Sequence, residues 1–96
     1  MQTYAVQYVY DARHELQDEV RPAHRLYLSG LAEQGLLLGS GPFTDGAPGA
    51  QLVFRTEDPA QLDRLLEADP FAIAGVIAEV GVRTWNIVIG PWAADD

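Results

Sequence analysis

Two side chains in this chain are equipped for proton transfer near neutral pH. One is His24, within RPAHRLYLSGL (Arg21 to Leu31). The other is Asp69, within EADPF (Glu67 to Phe71). Histidine is the side chain whose unperturbed pKa lies closest to neutrality, so a single imidazole can take a proton and return it. A carboxylate on its second ring nitrogen fixes the tautomer and stabilises the imidazolium. A bland alternative stands beside each role. His24 could be a structural tie to a carbonyl or an acid, and Asp69, just before Pro70, has the sequence context of a helix N-cap. The two roles of Asp69 are compatible, because one carboxylate oxygen can cap while the other holds an imidazole. Asp58-Pro59 has the same context with no partner in view, so Asp58 is expected to be a cap alone.

Other groups offer less. His14 lies in a charged stretch and reads as solvated. Ser40 lacks the strand-turn-helix setting of a nucleophile elbow. Tyr8 and Tyr27 could bring a phenol to a pocket but fall at positions that also read as core. Arg21 or Arg25 could bind a substrate anion, or pair with Glu19 or a neighbouring acid. The histidines show neither HxH nor HExxH spacing, so no metal site is expected. GSGPF carries the glycines of a phosphate loop without its lysine. No cofactor is implied.

Positioning His24 against Asp69 across 45 positions is work for the fold. The 96 residues suit a single domain spanning 1–96. The net charge is −8 with six cations, all of them arginine. That balance argues against nucleic-acid partners and against an anionic membrane surface. There is no cysteine. The N-terminus has neither the basic region nor the apolar run of a signal peptide, and no stretch suggests a membrane span. A cytoplasmic protein is expected.

Thr3–Tyr10 reads as a strand, with Tyr4, Val6, Tyr8 and Tyr10 on one face. Asp11–Val20 fits a loop or a loose helical turn equally well. Pro22 suits the first turn of a helix. Ala23, Leu26, Tyr27, Gly30 and Leu31 would form its buried stripe, with His24 on the flank and Gly35 ending it. Leu36–Phe43 and Ala50–Thr56 read as strands around a TDGAPG turn. Asp58, Pro59 and Gln61 mark the start of a second helix. Asp69-Pro70 marks a short helical segment through about Ala74, and Glu79–Ile89 reads as the last strand. The tail AADD is expected to be loose.

The order β-α-β-β-α-β is the ferredoxin-like, split βαβ pattern: an α+β fold in which one antiparallel sheet carries its helices on one face. The other face needs cover. Tyr4, Val6, Val53, Val82 and Val88 suggest that it is partly apolar and that the chain dimerises through the sheet.

Four segments, RPAHRLYLSGL, GLLLGSGPF, EADPFAIAGV and VRTW, stand in the order and at about the spacing found in the YciI-like (YCII-related) family, which the chain resembles from Tyr4 to Trp85. The resemblance implies a dimeric α+β barrel, that is, a homodimer or a higher homo-oligomer, with a pocket in each protomer. It implies that His24 and Asp69 are the catalytic pair and that Ser40, Gly41, Pro42 and Phe71 bind a small-molecule ligand. It also implies proton chemistry of the kind used to eliminate chloride from a chlorinated hydroxyquinol, or to move protons on a small lactone. The expected function is therefore a cofactor-independent lyase or isomerase acting on a small ring compound. The other class to weigh is a binding or accessory module that performs no chemistry.

Overall fold

The computed structural model describes residues 1–93 of the chain. Seven elements follow in order: β1 (Gln2–Tyr10), α1 (His14–Glu33), β2 (Leu37–Pro42), β3 (Gly49–Thr56), α2 (Pro59–Glu67), α3 (Pro70–Ala74) and β4 (Ile77–Thr84). The strands form one antiparallel sheet in the order β2-β3-β1-β4. Helices pack on one face of it, so the ferredoxin-like α+β architecture expected from the element order is the one observed. No described helix is long and apolar enough to cross a membrane.

The register shows which side chains face the helices. Tyr4, Val6 and Tyr8 stand opposite Phe54, Leu52 and Ala50. All six are buried, and Leu28, Leu31, Leu37 and Leu62 complete the core. Tyr4 and Val6 therefore belong to the helix face, not to the open face assigned to them from sequence. Val82, opposite Val6, shares that face at the β4 edge, beyond the helices' cover. The open face carries Val53, as expected, paired with Ala5 and buried, together with Gln7, Gly81 and Gln51, with a hydrogen bond from Gln7 Nε2 to Gln51 Oε1 at 2.9 Å.

α1 differs most from expectation. It begins at His14, eight positions before Pro22, which therefore lies inside the helix. The start is hard to read because the residue at the cap is Arg13, with no side-chain cap bond. The acceptor sits further upstream: Asp11 Oδ1 accepts from the Arg13 backbone N–H at 3.0 Å and from Gln17 Nε2 at 3.0 Å. The buried stripe is also rotated. Gln17, His24, Leu28 and Leu31 are inside, while Leu26 is 76% exposed. Two polar residues on the inner face hid it from a search for apolar periodicity. The helix ends as expected, with Gly35 at φ 78° and Leu36 N–H donating to the Leu31 carbonyl at 3.0 Å.

β4 stops at Thr84, short of the Ile89 expected. Its partner β1 runs out there: Thr84 pairs with Tyr4, and Trp85 N–H makes one further bond to the Thr3 carbonyl at 2.8 Å. The chain then folds back over the open face. Arg55 donates to the Trp92 carbonyl at 2.7 Å, and the Trp92 ring lies against Gly39, where a Cβ would come within 2.8 Å of it. Val88 and Ile89, assigned from sequence to the strand, are instead 73% and 89% exposed in this return segment. Of the tail, Ala94–Asp96 lie outside the described residues.

Candidate active site

Asp69 is where the two candidate roles meet. Pro70 opens α3, and Asp69 caps it with Oδ1 accepting from the Phe71 N–H at 2.9 Å. The same oxygen receives the His24 imidazole, with Nδ1 to Oδ1 at 2.7 Å. Oδ2 accepts from the Tyr8 hydroxyl at 3.0 Å. Sequence reasoning gave the cap and the imidazole one oxygen each. Instead a single oxygen serves both, and the other is held by a phenol from β1. Asp69 is 1% exposed and His24 6%. Asp58 behaves as the solitary cap expected: it is exposed and accepts from the Gln61 N–H at 2.8 Å, while Gln61 Oε1 accepts from the Glu57 N–H at 2.8 Å.

The Phe71 N–H and the Tyr8 hydroxyl each donate to a different oxygen of Asp69, which sets the carboxylate up as an acceptor for His24 as well. With a neutral imidazole that arrangement favours the proton on Nδ1 and leaves the Nε2 lone pair free. Among the described residues Nε2 has no hydrogen-bond partner, and no buried side-chain nitrogen or oxygen is left unpaired. The nitrogen therefore opens to the cavity that His24 lines. Phe71 fixes the ring plane. Its ring stacks on the imidazole at 3.9 Å between centroids and 6° between planes, and Tyr10 packs edge-on against Phe71 at 5.4 Å. Burial pushes the Tyr8 hydroxyl pKa far up, and the Asp69 charge pushes it further. Tyr8 thus stays a protonated donor.

The cavity is about 400 Å³, within the range of small-molecule sites. One wall is a face of α1: Arg21, His24, Arg25, Leu28 and Ala32 recur at helical spacing. The opposite wall is the edge strand β2, through Leu37 and the Gly39–Pro42 segment, and Tyr10 and Phe71 close one side. Ser40, Gly41, Pro42 and Phe71 thus share one cavity with His24, while Asp69 stands behind the imidazole. Tyr27, by contrast, donates to the Leu65 carbonyl at 2.7 Å and is a tie between helices. His14 is exposed at the first position of α1. Tyr10 was missed as a wall residue because it was read only as the last residue of a strand face shared with Tyr4, Val6 and Tyr8. Among the described residues no group of three or more histidines and carboxylates could hold a metal ion.

Similar folds are known. The dehydrochlorinase of Burkholderia phenoliruptrix that acts on 5-chloro-2-hydroxyhydroquinone, solved with 2,5-dihydroxybenzoquinone, has a TM-score of 0.77 to this chain at 21% identity, covering 86% of this chain and 92% of that one. An antibiotic biosynthesis monooxygenase has a TM-score of 0.56 at 18% identity, covering 93% of this chain and all of that one. The C-terminal domain of the MgtC protein from Mycobacterium tuberculosis has a TM-score of 0.51 at 19% identity, covering 100% and 95%. At such identities these likenesses establish the fold alone. No curated protein matches the sequence. The YCII-related domain matches residues 1–86, nearly the whole of the described chain: this protein belongs to the YCII-related family.

Proposed function

We propose that this protein is a small-molecule lyase or isomerase in which His24 moves a proton on a ring-type substrate. The observation that carries the reading is the 2.7 Å contact of His24 Nδ1 with the Asp69 carboxylate, which leaves Nε2 facing a cavity of about 400 Å³. His24 takes a proton from a substrate carbon or hydroxyl, and the imidazolium so formed is held by the carboxylate 2.7 Å away. It then returns the proton to another position, an isomerisation, or loses it to solvent as a leaving group departs, an elimination. The geometry supports Ser40 as the group that steadies developing negative charge on substrate oxygen. Pro42 has no N–H, and the Phe43 N–H is bonded to the Gly49 carbonyl at 2.9 Å. Strand alternation turns the Gly41 N–H toward β3 as well, so the Ser40 N–H and hydroxyl remain on the free edge of β2. The dehydrochlorinase with a similar fold makes an elimination on a hydroxylated ring a natural first trial.

The protein is proposed to work as a homodimer. The exposed Val82 on the β4 edge, together with the exposed Val88 and Ile89 of the return segment, offers apolar surface that a second copy would cover.

The test is chloride release from 5-chloro-2-hydroxyhydroquinone, alongside proton exchange on small lactones, for the parent protein and for His24→Gln. The expected loss is roughly 10²–10⁴-fold. Parent-like turnover by a folded His24→Gln protein would overturn the proposal.

A further inference from the structure

The cavity has a charge opposite to that of the protein. The chain carries 14 acidic and six cationic residues, yet Arg21 and Arg25 line the cavity and, among the described residues, no acidic side chain does. They stand at i−3 and i+1 relative to His24, so α1 presents both guanidinium groups alongside the imidazole. Their situations differ. Arg21 is half-buried, lies 6.0 Å from the Phe71 ring centroid, and donates to Asp18 at 2.5 Å. Arg25 is exposed at the cavity mouth and makes no ion pair among the described residues. Among the described residues, the carboxylates beside the cavity are both engaged: Asp18 accepts from Arg21, and Asp69 sits behind His24 and is met by the Tyr8 hydroxyl, the Phe71 N–H and the imidazole. Burial and Asp69 push the Tyr10 hydroxyl pKa up, while Arg21 and Arg25 pull it down, so the field of both arginines reaches the inner wall.

We infer that Arg25, supported by Arg21, is the recognition element for an ionised oxygen group on the substrate, which is therefore a small anionic ring compound (a carboxylate or an ionised phenol) and not a neutral one. A guanidinium fork matches a planar oxyanion with two parallel N–H bonds. The apolar Leu28, Leu37 and Ala50 are left to take the ring. Anchoring the anion at the arginines places the rest of the ring within reach of Nε2, which sets which carbon or hydroxyl loses its proton. In an acidic protein, such an island of positive charge also draws anions to this opening in preference to the rest of the surface. The inference rests on the cavity being the small-molecule site, but it does not depend on His24 being a base.

The experiment is a binding titration followed by amide chemical shifts, using benzoate, the neutral isostere benzamide, and 4-nitrophenol at a pH where it is ionised. The expected result is that benzoate or nitrophenolate perturbs the α1 and β2 amides and binds at least about tenfold more tightly than benzamide. Arg25→Met, at an exposed position, should erase that preference, and raising the salt concentration should weaken it. Equal binding of benzoate and benzamide, an anion preference that survives both Arg25→Met and Arg21→Met, or no binding by either anion would overturn the inference. His24→Gln should keep the anion preference, so a failure of the proposed proton chemistry and a failure of anion recognition give different results.

Discussion

The two Asp-Pro caps form an internal experiment. Asp58 and Asp69 each accept one backbone N–H at the start of a helix, at 2.8 and 2.9 Å. Asp58 is exposed and does nothing more, so Asp58→Ala should cost about 1 kcal/mol, the ordinary value of a cap. Asp69→Ala removes the cap and also leaves the His24 Nδ1–H and the Tyr8 hydroxyl buried without acceptors, each worth about 1–3 kcal/mol. The sum falls at about 3–7 kcal/mol, which spans the roughly 3–5 kcal/mol cost of breaking a buried charged pair by deleting one partner. In a domain of this size, that difference separates the two variants by more than 8 °C in Tm, at about 4–8 °C per kcal/mol. Urea denaturation at one fixed protein concentration measures it as a shift in midpoint at constant slope. Should Asp69→Ala fail to fold, Asp69→Asn keeps the shape while making the His24 bond neutral, and should cost about 1–2 kcal/mol. If the two Ala variants were equally destabilised, within about 0.5 kcal/mol, Asp69 would be only a cap and the reasoning would fail.

Further predictions concern the buried phenols and the proline inside α1. Tyr8, Tyr10 and Tyr27 all have raised pKa values, chiefly from burial and then from Asp69. The folded state therefore keeps protons that the unfolded state releases above the ordinary phenol pKa of about 10. Stability should be unaffected below that pH and fall above it, by at most about 1.4 kcal/mol per pH unit for each buried phenol. Tyr8→Phe should lose about 1.5–3 kcal/mol at neutral pH, because a carboxylate loses a donor, and should show a shallower alkaline fall in denaturation midpoints. Pro22 sits inside α1, where it denies the Asp18 carbonyl a backbone donor. Pro22→Ala should therefore raise stability by about 1–3 kcal/mol in the same assay, with the unfolded chain's added freedom offsetting part of the gain.

Local signals carried most of the fold. Alternation in β1 and β3, the turn between β2 and β3, and the Asp-Pro caps of α2 and α3 were all legible because each is written within a few residues. α1 was not, since its start depends on Asp11 reaching forward past Arg13 and its inner stripe contains Gln17 and His24. Apolar periodicity cannot see a polar residue that is buried because a partner 45 positions away receives it. The end of β4 was misread for a similar reason: Val88 and Ile89 have strand character, but β1 offers no further partner. For the site, residue chemistry singled out His24 and Asp69, and the family resemblance gave them a shared pocket and a catalytic role. The third donor, Tyr8, looked like core because it is core, with its ring buried and only its hydroxyl turned toward Asp69.

The central claim is that His24 holds its proton on Nδ1 and presents Nε2 to the cavity as a base. Long-range ¹H–¹⁵N correlation spectra of ¹⁵N-histidine-labelled protein read the tautomer directly, with His24→Gln giving the assignment. Neutral His24 should be the Nδ1–H tautomer, and Asp69→Asn should weaken that preference. A neutral His24 with its proton on Nε2 would contradict the claim, because the nitrogen facing the cavity could not then accept a proton from a substrate.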